Sequence, residues 1–314
     1  MSNVPFISWL GHGAASLAPS GVFTDAKANA FVIDADTEAM QRTVDTLLNP
    51  AGAGRVRYQV ALPVAMLSFM DIAQCTSSTD ILGWLPGREC AIWIPLLEFR
   101  DGHLLPSRLV FWSPYIFISY TIGMVTGREA WGWPKVLAEI GVASDTPANP
   151  QFSCTTTFFP TMAATTKGEH GVLYRIVQQQ AAAQQPPVWQ SAGEARAGLI
   201  DGIFGGLAGD LLDALQPQLP SVVLKQFRAA GAPQSACFQA IVDSPIEMTR
   251  FIGGGLLWDT FSLEITNCES HAIVYDLLGY KPAPGTTTTL PVKFATWVTV
   301  DFQALTGDDI VVTT

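Results

Sequence analysis

Thr126-Gly127-Arg128-Glu129-Ala130-Trp131-Gly132-Trp133-Pro134-Lys135-Val136-Leu137 sets one lysine among aromatic and aliphatic neighbours. That setting is unusual, because a lysine's charge is costly to remove from water. A free lysine titrates near 10.4, so only about 0.04% is neutral and nucleophilic at pH 7. Bringing it close to neutrality takes about 5 kcal/mol of bias against the ammonium, and stripping away water is one source of that bias. A neutral amine can attack a ketone and form an iminium, which withdraws electrons from the neighbouring carbon. The plainer reading is that the stem of Lys135 covers Trp133 while its ammonium stays in water. Local context leaves both open.

Outward from this stretch, the chain has a strand-rich pattern. Val56–Met66, Cys90–Phe99, Leu109–Met124, Phe152–Phe159, Val172–Val177, Phe238–Glu247, Phe261–Thr266 and Val292–Phe302 are rich in β-branched and aromatic residues. Gly, Pro, Asn and Asp separate them, the pattern of a sheet-rich sandwich or barrel. Asp36–Leu48 reads as a capped helix with Met40, Val44, Leu47 and Leu48 on one face. Arg108 to Arg128 encloses no charge, but Ser113, Pro114, Ser119, Tyr120 and Thr121 interrupt it, so a buried strand pair is expected rather than a membrane span. From about 178 to 234 the composition changes, opening on QQQAAAQQPP. Leu199, Ile203, Leu207, Leu211 and Leu215 then recur every four residues, as in an amphipathic helix, so a helical insertion is expected there.

Composition narrows the function. The 314 residues are 48% hydrophobic and 14% charged, with a net charge of −10. That charge argues against nucleic acid, whose phosphates need a basic face. So much apolar surface points to a homo-oligomer interface. Five scattered cysteines without a CxxC pair read as reduced thiols of a cytoplasmic protein, and the N-terminus lacks the basic head and apolar run of a secretion signal. The four histidines sit in no metal-ligand spacing, and no GxSxG elbow or phosphate loop is present. Gly202-Ile-Phe-Gly205-Gly206-Leu-Ala-Gly209 misses the spacing of a dinucleotide fingerprint. Catalysis by side chains alone, with no cofactor and no metal, is the expectation.

The run GREAWGWPK resembles the active-site signature of the acetoacetate decarboxylase superfamily, in which GRE is followed five residues later by a Pro-Lys pair. Ala30–Leu48 with Arg55-Val-Arg-Tyr-Gln-Val60 resembles that family's helix and following strand, and Leu290-Pro-Val-Lys-Phe294 its LPVK segment. The resemblance implies one α+β, β-rich domain over 1–314: an antiparallel β-barrel or double-sheet fold with peripheral helices, interrupted by the insertion at about 178–234. It makes Lys135 the Schiff-base nucleophile and Glu98 an acid/base or positioning group, Glu98 otherwise being a strand-end carboxylate paired with Arg100. It implies that Arg128 and Glu129 are an ion-paired support of the lysine loop, and that Gln59, Trp131, Trp133 and Val136 belong to the pocket or its support.

Two departures stand out. Val136 replaces the second lysine of true decarboxylases, and Gln59 replaces a family glutamate. The family's N-terminal arginine has no clear counterpart, Lys27 being the nearest cation. Trp112, Trp131, Trp133 and Tyr120 suggest room for a larger or aromatic keto acid. The resemblance thus implies a cofactor-independent lyase acting on a small-molecule keto acid. Decarboxylation of a β-keto acid leads, with an aldolase-dehydratase on pyruvate-like acids and a non-catalytic ligand-binding relative as alternatives.

Overall fold

The computed structural model describes residues 5–8, 11, 16–80, 83–145, 151–184, 186–204 and 218–313. The first half contains β1 (Gly21–Asp34), α1 (Thr37–Leu47), β2 (Val56–Val60), β3 (Val64–Ser77), β4 (Leu85–Arg100) and β5 (Arg108–Ile118). There follow α2 (Thr121–Thr126), β6 (Lys135–Leu137), β7 (Glu139–Gly141), β8 (Gln151–Phe158) and β9 (Glu169–Gln180). Then come β10 (Val188–Trp189), α3 (Ala192–Phe204), β11 (Gln218–Leu219), β12 (Val222–Ala229) and β13 (Ala232–Asp243). The chain closes with β14 (Ile246–Leu257), β15 (Thr260–Thr266), α4 (Ile273–Leu278), β16 (Thr287–Pro291), β17 (Phe294–Ala304) and β18 (Asp308–Thr313).

The architecture is strand-rich α+β, as expected, with the strands in sheets of ten, five and three. The large sheet runs β10-β14-β17-β1-β3-β4-β5-β6, with β11 on β14 and β2 on β4. The second runs β16-β15-β9-β8-β7 and the third β12-β13-β18. Pairings between these strands are antiparallel except that of β6 with β5.

β4 explains why its sequence is an unbroken apolar run rather than an alternating one. Cys90, Ile92, Ile94 and Leu96 face a core shared with Phe152, Cys154, Tyr174, Ile176 and Leu263 of the five-stranded sheet. Ala91 and Trp93 face a second core with Trp131, Trp133 and Val223, Ala240 and Val242 of the three-stranded sheet. A strand covered on both faces has no polar side to show. Phe31, Phe69, Phe152 and Phe261 meet edge-on or tilted at 4.9–6.2 Å in the first core, the arrangement that ring quadrupoles favour. α1 begins where Asp36 accepts the Ala39 amide at 2.7 Å, and its buried Met40 and Val44 join Ile273, Val274 and Leu277 of α4 in the same core.

Two expectations are corrected. Leu109–Met124 is one strand, β5, followed by the short helix α2, rather than a strand pair. The chain turns at Ser119-Tyr120, and the ring of Tyr120 folds back over Gly123, whose missing side chain leaves it room. Within 178–234, helix covers Ala192–Phe204, but β11 and β12 occupy the later part, where Val222, Val223 and Leu224 favour strand and Ala230-Gly231 makes the turn into β13. Leu207, Leu211 and Leu215 of the expected amphipathic face lie outside the described residues. No helix among the described residues is long and apolar enough to cross a membrane.

Candidate active site

Lys135 opens β6, and three features of the preceding chain aim it. Gly127–Trp131 forms a wide helical turn in which the Gly132 and Trp133 amides both donate to the Gly127 carbonyl at 2.9 Å. Gly132 then takes φ +94, a conformation that side chains resist, and the backbone and Cβ of Lys225 on β12 press against it. Next, the Lys135 amide donates to the Trp133 carbonyl at 2.7 Å, closing a three-residue turn centred on Pro134, whose fixed φ suits that turn. The Pro-Lys pair therefore redirects the chain into register with β5, opposite Ile116.

That register fixes the face. Lys135, Ile116 and Ala91 form one cross-strand row, so the lysine stem lies on the same side as the tryptophans. Val136 points the other way, against the first core. Gly127 supplies the space for the stem: a Cβ there would sit 2.5 Å from Lys135 Cδ and 2.8 Å from Cε. The Nζ contacts Glu89 Oε2 of β4 at 2.5 Å, and the two side chains are only 14% and 13% exposed.

The lysine enters a cavity of about 70 Å³ that opens to solvent at one end of the large sheet. Phe23, Tyr120, Trp131 and Trp133 supply its aromatic wall, and Leu17, Leu85 and Ile122 its aliphatic wall. Among the described residues that line it, Lys135 alone carries a charge. Tyr120 hydrogen-bonds Cys75; burial raises its phenol above the usual range, and burial pushes the Cys75 thiol up to about 11. Both therefore stay protonated at neutral pH. Trp133 packs edge-on against Trp93 at 5.7 Å, and Trp131 Nε1 donates to the Leu305 carbonyl at 2.8 Å.

Several residues expected at the site lie elsewhere. Glu98 is fully buried nine residues along β4 from Glu89, roughly 30 Å away at ~3.3 Å per residue. It accepts from Arg100 at 2.7 Å, Arg108 at 3.0 Å and Tyr58 at 3.2 Å. Burial alone would raise its carboxyl, but Arg108 and Arg100 outweigh that and hold it below the usual range. Gln59 is exposed on β2, Trp112 lies in the first core, and Lys27 is exposed on β1. Arg128 and Glu129 are both exposed, and no ion pair joins them among the described residues, because consecutive positions on a helical turn point apart. Arg128 instead donates to the Lys135 carbonyl at 3.2 Å.

The residue that reading the sequence missed is Glu89. Its signal was present: Arg88-Glu89 is a charged pair at the start of an apolar strand, and Glu89 shares the parity of Ala91 and Trp93, the lysine's face.

A family model described as acetoacetate decarboxylase (ADC) matches residues 12–186. No curated protein matches the chain in sequence. Among solved structures, one of an acetoacetate decarboxylase is similar over 96% of this chain and 93% of that one, with 13% identity and a TM-score of 0.59. The acetoacetate decarboxylase of Legionella pneumophila subsp. pneumophila str. Philadelphia 1 is similar over 99% of each chain, with 13% identity and a TM-score of 0.57. The enduracididine biosynthesis enzyme MppR, complexed with the condensation product of pyruvate and imidazole 4-carboxaldehyde, is similar over 97% of this chain and 94% of that one. There the identity is 14% and the TM-score 0.55. At such identities the likeness is one of fold. The family match covers more than half of the chain, and with the lysine-bearing turn inside it, this protein belongs to the acetoacetate decarboxylase family.

Proposed function

We propose that the protein is a cofactor-independent lyase that decarboxylates a β-keto acid through a Schiff base on Lys135, with Glu89 as its proton partner. The observation that carries this is the Lys135–Glu89 contact of 2.5 Å at the wall of a cavity whose other described lining residues are uncharged. Glu89 accepts the ammonium proton and the freed amine adds to the ketone carbon. The resulting hydroxyl leaves as water with the proton returned, giving an iminium. The bond between the α-carbon and the carboxylate then breaks, its electron pair drains into the iminium, and carbon dioxide departs from an enamine. Protonation of the α-carbon and addition of water release the ketone and restore the lysine.

The uncharged wall also ranks the chemistries. Among the described residues that line it, none but Lys135 is a cation that could hold a carboxylate placed there, which favours its loss as neutral carbon dioxide. An aldol or dehydration reaction on a pyruvate-like acid keeps its carboxylate throughout and needs it held. Decarboxylation is the better fit.

Borohydride trapping with intact-protein mass spectrometry tests this. With acetoacetate and bulkier β-keto acids, the wild type should gain a reduced adduct on Lys135 whose mass lacks the carboxylate. Lys135→Ala should gain none, and Glu89→Gln should trap about 10²–10⁴-fold more slowly. An adduct on Lys135→Ala, or none with any keto acid, would make the Lys135–Glu89 pair structural and the chain a ligand-binding relative.

A further inference from the structure

We infer that Lys225 is a positioning residue for Lys135: its ammonium caps the Ala130 carbonyl, for which Pro134 leaves no backbone donor, and so fixes the turn that aims the nucleophile. The consequence for catalysis rests on the Schiff-base reading; the cap itself rests on the contacts alone.

The turn creates the need. A helical carbonyl is ordinarily met by the amide three, four or five residues further on. For Ala130 those residues are Trp133, Pro134 and Lys135. The Trp133 amide donates to the Gly127 carbonyl, the Lys135 amide donates to the Trp133 carbonyl, and Pro134 has no N–H. Ala130 is half-buried against the second core, where a carbonyl without a donor is costly. Lys225 Nζ supplies the donor at 2.9 Å. A cation also suits the place, which is the carbonyl end of the helical stretch from Thr121 to Trp131.

β12 holds the amine there. Val223 stands opposite Val242 of β13 and Lys225 opposite Ala240, so the lysine continues an apolar row of the second core. Its Cβ and backbone press against Gly132, and the ring centroids of Phe227 and Phe238 lie 6.0 and 5.8 Å from Nζ. Burial lowers the amine from its ordinary value, against the opposing pull of Asp309 and Glu129. A lysine serving only solubility would extend into water and avoid that cost.

The test compares Lys225→Met, which keeps the stem and the contact with Gly132 but removes the donor, with Lys225→Arg, which restores a cation. Borohydride trapping uses the β-keto acid that the wild type traps fastest, and hydrogen exchange of residues 128–137 is read without substrate. In Lys225→Met the limiting trapping rate should fall about tenfold or more while the half-saturating acid concentration stays within about twofold, since a misplaced amine slows the reaction. Lys225→Arg should recover about a third of the wild-type rate or better. Exchange at the Gly132 and Trp133 amides should rise about fivefold in Lys225→Met, the equilibrium worth of one hydrogen bond. Wild-type trapping by Lys225→Met, or a Lys225→Arg variant as slow as Lys225→Met, would overturn the assignment. If no acid traps on any variant, the Schiff-base reading fails by itself and exchange decides: a rise confined to the turn upholds the cap, and unchanged exchange overturns it. Should Lys225→Met not fold, Lys225→Gln, whose amide nitrogen ends one bond short of the Nζ position, takes its place with the same thresholds.

Discussion

Two glycines five residues apart in the lysine loop should fail in opposite ways when each is changed to alanine. Gly127 has an ordinary helical φ of −59, so alanine there is favoured by about 1 kcal/mol in backbone terms. Its new Cβ would meet Lys135 Cδ at 2.5 Å, whereas carbon atoms rest at about 3.5–4.0 Å, so the stem must move by roughly 1 Å. The stem is flexible and can move, and stability should change by less than about 1 kcal/mol. The amine moves with it, the 2.5 Å contact to Glu89 opens, and a misplacement of that size costs about 10²-fold in rate. Gly132 is the reverse case. At φ +94 an alanine costs about 1–2 kcal/mol, and its Cβ would lie 2.6 Å from Lys225 Cα and 2.9 Å from Lys225 N, backbone atoms that cannot step aside. A total above about 2 kcal/mol should lower Tm by roughly 3 °C or more. Borohydride trapping rates and thermal melts on both variants check the pair. If Gly127→Ala traps at the wild-type rate, the stem is not confined by Gly127 and the amine does not depend on that space.

Two further outcomes follow from groups away from the cavity. Glu98→Gln should destabilise the fold by about 3 kcal/mol, because Arg108 and Arg100 lose their buried carboxylate. Glu98 is held below its ordinary range, so its contribution is present above about pH 4.3 and is lost as pH falls through the depressed folded value. The variant should flatten the acid side of a stability-against-pH curve measured by urea melts, and an unchanged acid side would refute this. Of the five cysteines, Cys237 is exposed and the other four are buried, so a thiol reagent at neutral pH should titrate one equivalent in the native protein and five in guanidinium. Rapid labelling of a second thiol, mapped to Cys75, would show that the cavity wall there opens readily.

The aromatic setting of Lys135, the helix after Asp36 and most strands were legible because each depends on local pattern: a lysine among tryptophans, a cap three residues from the amide it accepts, runs of β-branched residues. What was not legible depends on strands meeting. Glu89 and Glu98 look alike in the sequence, both acids bounding one apolar run. Only the pairing of β4 with β5 sets Arg108 opposite Glu98 and brings Lys135 within reach of Glu89. β1 was missed because Thr24, Asp25, Lys27 and Asn29 make it look polar, though it lies between β3 and β17. β12 was read into a helical insertion because Lys225-Gln226-Phe227-Arg228 carries polar and charged side chains of a sheet with one covered face. The need for glycine at 132 is visible only once β12 lies against it.

That last contact has a consequence for how the protein is made. The family signature is complete when residue 135 leaves the ribosome, but the amine's support is not. Lys225 donates to the Ala130 carbonyl across 95 residues of chain, and Trp131 donates to the Leu305 carbonyl across 174. A nascent chain that ends near residue 186 carries every letter of the motif and none of this late-arriving brace. The proposed reactivity at Lys135 thus depends on the finished fold, and a lysine-directed probe of that one side chain should report when the last third of the protein has docked.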